Sequence, residues 1–240
     1  GFYDGVAGKS TQASAYHVAQ VLKAPVVLVV QPGGSSLTLA AALKGLLGFR
    51  EDSGCRGILL NRCSKGHYAL LKPMLEEELG IPVLGYLPPM PECALESRHL
   101  GLVLPGEIES LKEKLNRLAA VLEESIDLDA FLALAYEAPD FTYETPELPK
   151  LSGGKKVRIG VAEDDAFCFT YRDNFQMLKD MGAELVPFSP IKDEALPEGI
   201  DGLILSGGYP ELHAKALSEN EDMRGAIHDA VKAGLPCIAE

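Results

Sequence analysis

Two adjacent glycines, Gly207 and Gly208, lie within the run Gly202-Leu-Ile-Leu-Ser-Gly-Gly-Tyr-Pro-Glu211, where an apolar strand-like segment runs into a sharp turn. Paired glycines let the backbone turn tightly and bring bare N–H groups close to a reacting atom. Such donors can form one side of an oxyanion hole, because they stabilise the charge that develops on an acyl-transfer intermediate. The same residues also read as a plain strand-to-helix turn. Asn61, at the end of Gly57-Ile-Leu-Leu-Asn61, is a second candidate. Its carboxamide can pair with the donor and acceptor edge of a purine, and the prolines between Pro88 and Pro91 can wall a flat ring. Equally, Asn61 can simply end a strand.

Other residues imitate sites without completing them. Gly8-Lys9-Ser10-Thr11 resembles the end of a phosphate-binding loop, but the pattern needs glycine at position 3, where Tyr3 stands. Ser10 reads instead as a helix N-cap. Cys168 sits between Phe167 and Phe169 with no base beside it in sequence, a setting expected to be buried and to raise a thiol pKa. The histidines at 17, 67, 99, 213 and 228 have no metal-ligand spacing. The five cysteines form no C-x-x-C pair, which argues against a zinc site or disulfide framework and for a reducing, cytoplasmic setting.

The elements that must position these residues follow an α/β pattern. Pro25 to Gln31 is continuously apolar, as a strand covered on both faces of a parallel sheet would be. Helical runs are expected from Ser10 to Lys23, Leu37 to Leu47 and Tyr68 to Leu79, with strands at Gly57 to Arg62 and Val83 to Leu87. This alternation predicts βαβ units with right-handed crossovers. In such open sheets ligands bind beyond the carboxyl ends of the strands, which places Gln31, Asn61 with Arg62, and the Pro88 loop on one rim. An amphipathic helical stripe lies within Leu100 to Ile126, and a short helix from Asp129 to Tyr136 follows. Residues 139–156 lack periodicity and read as a linker between a first domain, 1–138, and a second, 157–240. In the second, strands are expected near Val157 to Val161, Leu185 to Phe188, Leu203 to Leu205 and Pro236 to Ala239. Helices are expected from Arg172 to Met181 and Glu221 to Ala233.

The chain has 240 residues, 47% apolar, enough for two modest cores. A net charge of -13 argues against nucleic acid and against anionic lipid as partners. No apolar run approaches the ~20 residues that span a bilayer, so no membrane role is expected.

Longer motifs then carry a resemblance. Asp165-Ala-Phe-Cys-Phe-Thr-Tyr-Arg-Asp-Asn174, Phe188-Ser-Pro-Ile-Lys-Asp193, Ser206-Gly-Gly-Tyr-Pro-Glu211 and Pro236-Cys-Ile-Ala-Glu240 resemble the opening of a glutamine amidotransferase domain of the cobyrinic acid a,c-diamide synthase family. Gly1-Phe-Tyr-Asp-Gly5, Leu60-Asn-Arg62, Leu84-Gly85 and Arg98-His-Leu-Gly-Leu102 are similar to the first part of that family. The resemblance implies two domains with mostly parallel sheets. One is a dethiobiotin-synthetase-like P-loop NTPase part; the other is a truncated class I glutamine amidotransferase-like part. It implies amidation of the a and c carboxylates of a corrinoid or related tetrapyrrole, using glutamine, ATP and Mg²⁺ through a phosphorylated carboxylate. By position, Tyr3, Asp4, Arg98 and His99 would belong to the substrate side, Asp4 also to magnesium, and Asn61 with Arg62 to the nucleotide base. Gln31 stands where the family usually has Asp. The family's P-loop would lie upstream of Gly1 and its nucleophilic cysteine just after Glu240, so an internal fragment, inactive by itself, is expected. Self-association through an exposed sheet edge, as a homodimer, is a further expectation. A competing reading is a nucleotide-binding switch module of the partition-ATPase type with a non-catalytic second domain.

Overall fold

A computed structural model describes residues 1–95, 97–98, 101–102, 108–145, 147–150 and 156–240, with backbone alone at 97–98 and 101–102. The chain forms two compact units, Gly1–Tyr143 and Glu144–Glu240.

The first unit is built on three apolar strands, β1 (Val26–Val30), β2 (Cys55–Asn61) and β3 (Val83–Leu87), paired in parallel in the order β1-β2-β3. Helix α1 (Ala15–Leu22) precedes them, α2 (Leu37–Gly48) connects β1 to β2, and α3 (Lys65–Leu79) connects β2 to β3. Leu28, Ile58, Leu60 and Val83 from the sheet pack with Ala40 and Leu43 of α2 and Leu71 and Leu75 of α3, all buried. Burying such side chains stabilises the unit by about 1.5–3 kcal/mol each. Val29 points the other way and is 63% exposed. The expectation of cover on both faces of this strand is therefore corrected, since period-2 alternation gives β1 a buried face and an open one.

Ser64, whose hydroxyl accepts from His67 N–H at 3.3 Å, starts α3 a turn earlier than hydrophobic spacing suggests. The helix carries Pro73 in its interior and ends at Gly80, φ 70°. The cap of α1 is Ser14, accepting from His17 N–H at 3.1 Å; Ser10 lies outside the helix and does not cap it. Beyond β3 come the two-residue strands β4 (Ser97–Arg98) and β5 (Gly101–Leu102), paired antiparallel. Helices α4 (Leu111–Ser125) and α5 (Leu128–Tyr136) follow. Between them Ile126 bridges Gly85, and Asp127 N–H donates to the Leu84 carbonyl at 2.7 Å, so this chain segment lines the edge of β3.

The second unit has four parallel strands, β6 (Arg158–Ala162), β8 (Glu184–Phe188), β9 (Gly202–Leu205) and β11 (Cys237–Ala239), in the order β11-β9-β6-β8. Helix α6 (Arg172–Asp180) links β6 to β8; α7 (Ala214–Glu219) and α8 (Glu221–Lys232) link β9 to β11. Ala162, Phe188, Leu203 and Met223 are buried at its core. Two short strands, β7 (Phe167–Phe169) and β10 (Gly207–Gly208), pair antiparallel apart from the main sheet. Successive connections leave β6 and β9 in opposite lateral directions, so the strand order reverses between these neighbours. Open α/β sheets bind ligands at such a point, beyond the carboxyl ends.

Candidate active site

The carboxyl end of β9 delivers Ser206, buried, and then Gly207 and Gly208. The sequence predicts a helix start after this glycine turn. Instead the two glycines form β10 against β7, and the next helix, α7, begins at Ala214. Pairing wins here because two extended residues can satisfy backbone groups against Phe167 and Phe169. A Cβ on Gly208 would stand 2.1 Å from the Ala166 carbonyl oxygen and 2.9 Å from Cys168 N, so only glycine fits. Gly207 is roomier: its nearest neighbour would be Phe169 Cδ2 at 3.5 Å. Buried Tyr209 holds the turn down, its N–H donating to Ala166 O at 3.0 Å and its ring meeting Phe169 edge-on at 5.0 Å. Cys168 lies in β7 and is half-buried rather than enclosed, and Phe169 is itself exposed.

Asp164 is a residue that motif reading passed over. Its Oδ1 accepts from the N–H groups of Ala166 at 2.9 Å and Phe167 at 3.1 Å. Oδ2 accepts from Ser189 Oγ at 2.8 Å and Ile191 N–H at 2.9 Å. The only signal in sequence was an aspartate just after a strand, which marks an Asx turn as readily as anything else.

In the first unit, Asn61 ends β2 opposite Leu87 and its Oδ1 accepts from Arg62 N–H at 2.9 Å. Arg62 adopts φ 52°, so the chain turns at once, and Cys63 N–H donates to Leu87 O at 2.9 Å. A groove of about 740 Å³ opens nearby, with Lys65, Tyr68, Tyr86, Pro88, Glu124 and Asp127 among its lining residues. Tyr68 and Tyr86 stack there at 4.7 Å and 30°. Asn61 and Arg62 do not line it. The aromatic pair escaped the sequence reading because its members lie on different elements.

Tyr3 is held in packing: its hydroxyl donates to Leu46 O at 2.9 Å, and its ring lies 5.0 Å from Tyr16 and 5.1 Å from Phe49. Burial pushes its pKa up, with Cys55 and Tyr16 adding to the effect. The neighbouring Asp4 side chain is 69% exposed and meets the Gly1 amino group at 3.2 Å. Arg98 sits on the backbone of β4, and His99 lies outside the described residues. Among the described residues there is no cluster of three or more His, Cys, Asp or Glu side chains suited to a metal ion.

Residues 158–240 match the CobB/CobQ-like glutamine amidotransferase domain. A cobyrinate a,c-diamide synthase of Caldanaerobacter subterraneus subsp. tengcongensis is 43% identical over 241 residues, covering 100% of this chain and 52% of that protein. Over its whole length the chain is similar to cobyrinate a,c-diamide synthases. Proteins of the same name from Clostridium acetobutylicum, at 41% identity with 54% of its length covered, and Methanosarcina acetivorans, at 38% with 50% covered, also match 100% of the chain. The chain thus spans about half the length of the curated relatives it matches. No solved structure matches with significance. Among the described residues no helix is long and apolar enough to cross a membrane.

Proposed function

We propose that this chain takes part in the glutamine- and ATP-dependent amidation of the a and c carboxylates of cobyrinate or a related tetrapyrrole. The observation that carries the reading is Gly208, pressed against Ala166 at the strand-order reversal between β6 and β9, in a segment matching a glutamine amidotransferase domain. Hydrolysis of glutamine passes through an oxyanion, and backbone N–H groups fixed beforehand stabilise it. In this reading the N–H groups of Gly207 and Gly208 supply the donors, and the Tyr209 N–H bond to Ala166 holds the turn that carries them.

The ammonia released from glutamine needs an electrophile. A carboxylate resists attack, because its oxygen is a poor leaving group; transfer of the γ-phosphoryl of ATP gives an acyl phosphate and ADP. Ammonia then displaces phosphate to give the amide. We assign the phosphoryl-transfer side to 1–138 and the amidotransferase side to 157–240, with 139–156 as the linker. Asn61 has its Oδ1 engaged by Arg62, which leaves Nδ2 as a donor for a purine base at the rim, with Arg62 beside it. Magnesium commonly keeps several waters and takes only one or two carboxylates together with substrate phosphates. The exposed Asp4 fits such a ligand, carried on a turn that Tyr3 anchors. Arg98 and His99 belong to the substrate side, Arg98 as an anion partner. The five cysteines, none of them in a disulfide, suit a reducing cytoplasmic setting, and a homodimer is part of the same reading.

These 240 residues supply oxyanion donors but no recognisable nucleophile–base motif, so alone they should release no ammonia from glutamine. Release that Cys168→Ala abolishes would overturn this. The protein expressed from its complete gene, given ATP, Mg²⁺, glutamine and cobyrinate, should form the a,c-diamide together with ADP and phosphate. Failure to consume ATP in the presence of cobyrinate, hydrogenobyrinate and a nickel tetrapyrrole alike would refute the reading.

A further inference from the structure

We infer that Asp164 is a positioning residue for the Gly207–Gly208 donors, an inference resting on the acyl-transfer role proposed for those glycines. Asp164 follows the carboxyl end of β6 and joins two segments through one carboxylate. Oδ1 holds the start of β7 through Ala166 and Phe167, and Oδ2 holds the loop after β8 through Ser189 and Ile191. Acceptors that carry charge make shorter and stronger hydrogen bonds than neutral ones, so these four contacts form a stiff clamp. Ala166 is the point where the clamp meets the site: its N–H is fixed by Asp164, and its carbonyl both accepts from Tyr209 and limits how near Gly208 can come. A shift of Ala166 therefore moves β10 with it.

The far side of the clamp is itself anchored. Ser189 N–H donates to Asp193 Oδ2 at 2.7 Å, and Asn220 Nδ2 donates to the carbonyls of Pro190 at 2.9 Å and Asp193 at 2.8 Å. The Asn220 side-chain oxygen meanwhile caps α8 through Met223 N–H at 3.3 Å. Asp164 thus references the donor turn to a helix of the core rather than to another loop, which suits a site that must hold its geometry within a fraction of an ångström.

Asp164→Asn keeps shape and one acceptor but sets an NH₂ against Ile191 N–H, donor facing donor. In the protein from the complete gene, hydrogen exchange over 206–210 should quicken about tenfold, the factor for loss of one hydrogen bond to a charged group, while α8 stays unchanged. Glutamine hydrolysis should lose about tenfold in kcat with KM for glutamine within about twofold, since the donors act on the transition state. Amidation driven by ammonium chloride should remain. Ser189→Ala, which removes its hydroxyl bond to the Asp164 carboxylate and leaves the backbone contacts, should give the same pattern at up to about tenfold; it carries the test should Asp164→Asn be recovered unfolded. Unchanged exchange over 206–210 in both variants would overturn the inference, and so would equal losses of glutamine-driven and ammonia-driven rates. Wild-type protein that hydrolyses no glutamine would instead sink the proposed function, leaving the exchange measurement to decide the role of Asp164.

Discussion

At the scale of single residues, the two glycines of the proposed donor turn are not equivalent, although the sequence presents them as a pair. A methyl group on Gly207 meets only ordinary contact, whereas on Gly208 it would collide with backbone atoms that cannot move without unpairing β7. We expect Gly208→Ala to lower kcat for glutamine hydrolysis about 10²-fold or more, the scale for loss of an oxyanion donor, and Gly207→Ala to cost far less. Equal kcat values for the two variants would refute the asymmetry. Asp52 gives a prediction in pH. Its carboxyl is held below the ordinary value, first by the Gly54 N–H at 2.8 Å and then by the Arg56 guanidinium. A carboxyl with a lower pKa folded than unfolded adds stability above its unfolded pKa and loses it as pH falls through the folded one. The first unit should therefore lose a small part of its stability below about pH 4, and Asp52→Asn should flatten that slope. Acid-unfolding curves of equal slope for both proteins would show otherwise. The contribution is modest because the Asp52 side chain is 63% exposed and water screens its ion pair.

At the scale of elements, the edge of β3 sets a sterically tight requirement. Gly85 has φ 153°, and a Cβ there would lie 2.4 Å from Ser125 O and 2.6 Å from Ile126 Cα. Gly85→Ala should destabilise the first unit by about 2–3 kcal/mol, through strain and a displaced bridge to Ile126, and a denaturant midpoint unchanged from wild type would contradict this. The strands and long helices of both units could be read from sequence, because their signal is local: apolar runs for the parallel strands, stripes for α4 and α8, Gly and Pro at the ends. What escaped reading depends on pairing across the chain. Strands β7 and β10 are three and two residues long and exist only because they meet. Helix α7, six residues, has no caps in sequence that set it apart from a turn. The helix expected from Tyr68 to Leu79, by contrast, does run through Pro73, with Leu71 and Leu75 on either side of it buried against the sheet. At the site, the glycine pair and Asn61 were legible as residue types with known chemistry. The Asp164 clamp was not, since its partners Ser189 and Ile191 are 25 and 27 residues away.

At the scale of the whole chain, two separate cores, each with its own parallel sheet, allow the two halves of the proposed reaction to be separated by mutation. If ammonia is the only thing passed from the second unit's chemistry to the first's, free ammonia should replace glutamine whenever the defect lies in the second unit and never when it lies in the first. Gly208→Ala in the protein from the complete gene should then lose glutamine-driven amidation but keep nearly wild-type amidation with ammonium chloride. Asn61→Ala should instead impair amidation from both nitrogen sources. Loss of one or two hydrogen bonds to the base should weaken ATP binding by about 1–3 kcal/mol, equal with either nitrogen source, while glutamine hydrolysis measured without acceptor stays unchanged. The crossed pattern is needed, because a general folding defect in either variant would depress every rate together. An Asn61→Ala protein whose ATP affinity matches wild type would remove Asn61 from the nucleotide site. A Gly208→Ala protein with a wild-type unfolding midpoint that ammonium chloride cannot rescue would mean that the Gly207–Gly208 turn serves the phosphoryl-transfer step, and that the assignment of one chemistry to each unit is wrong.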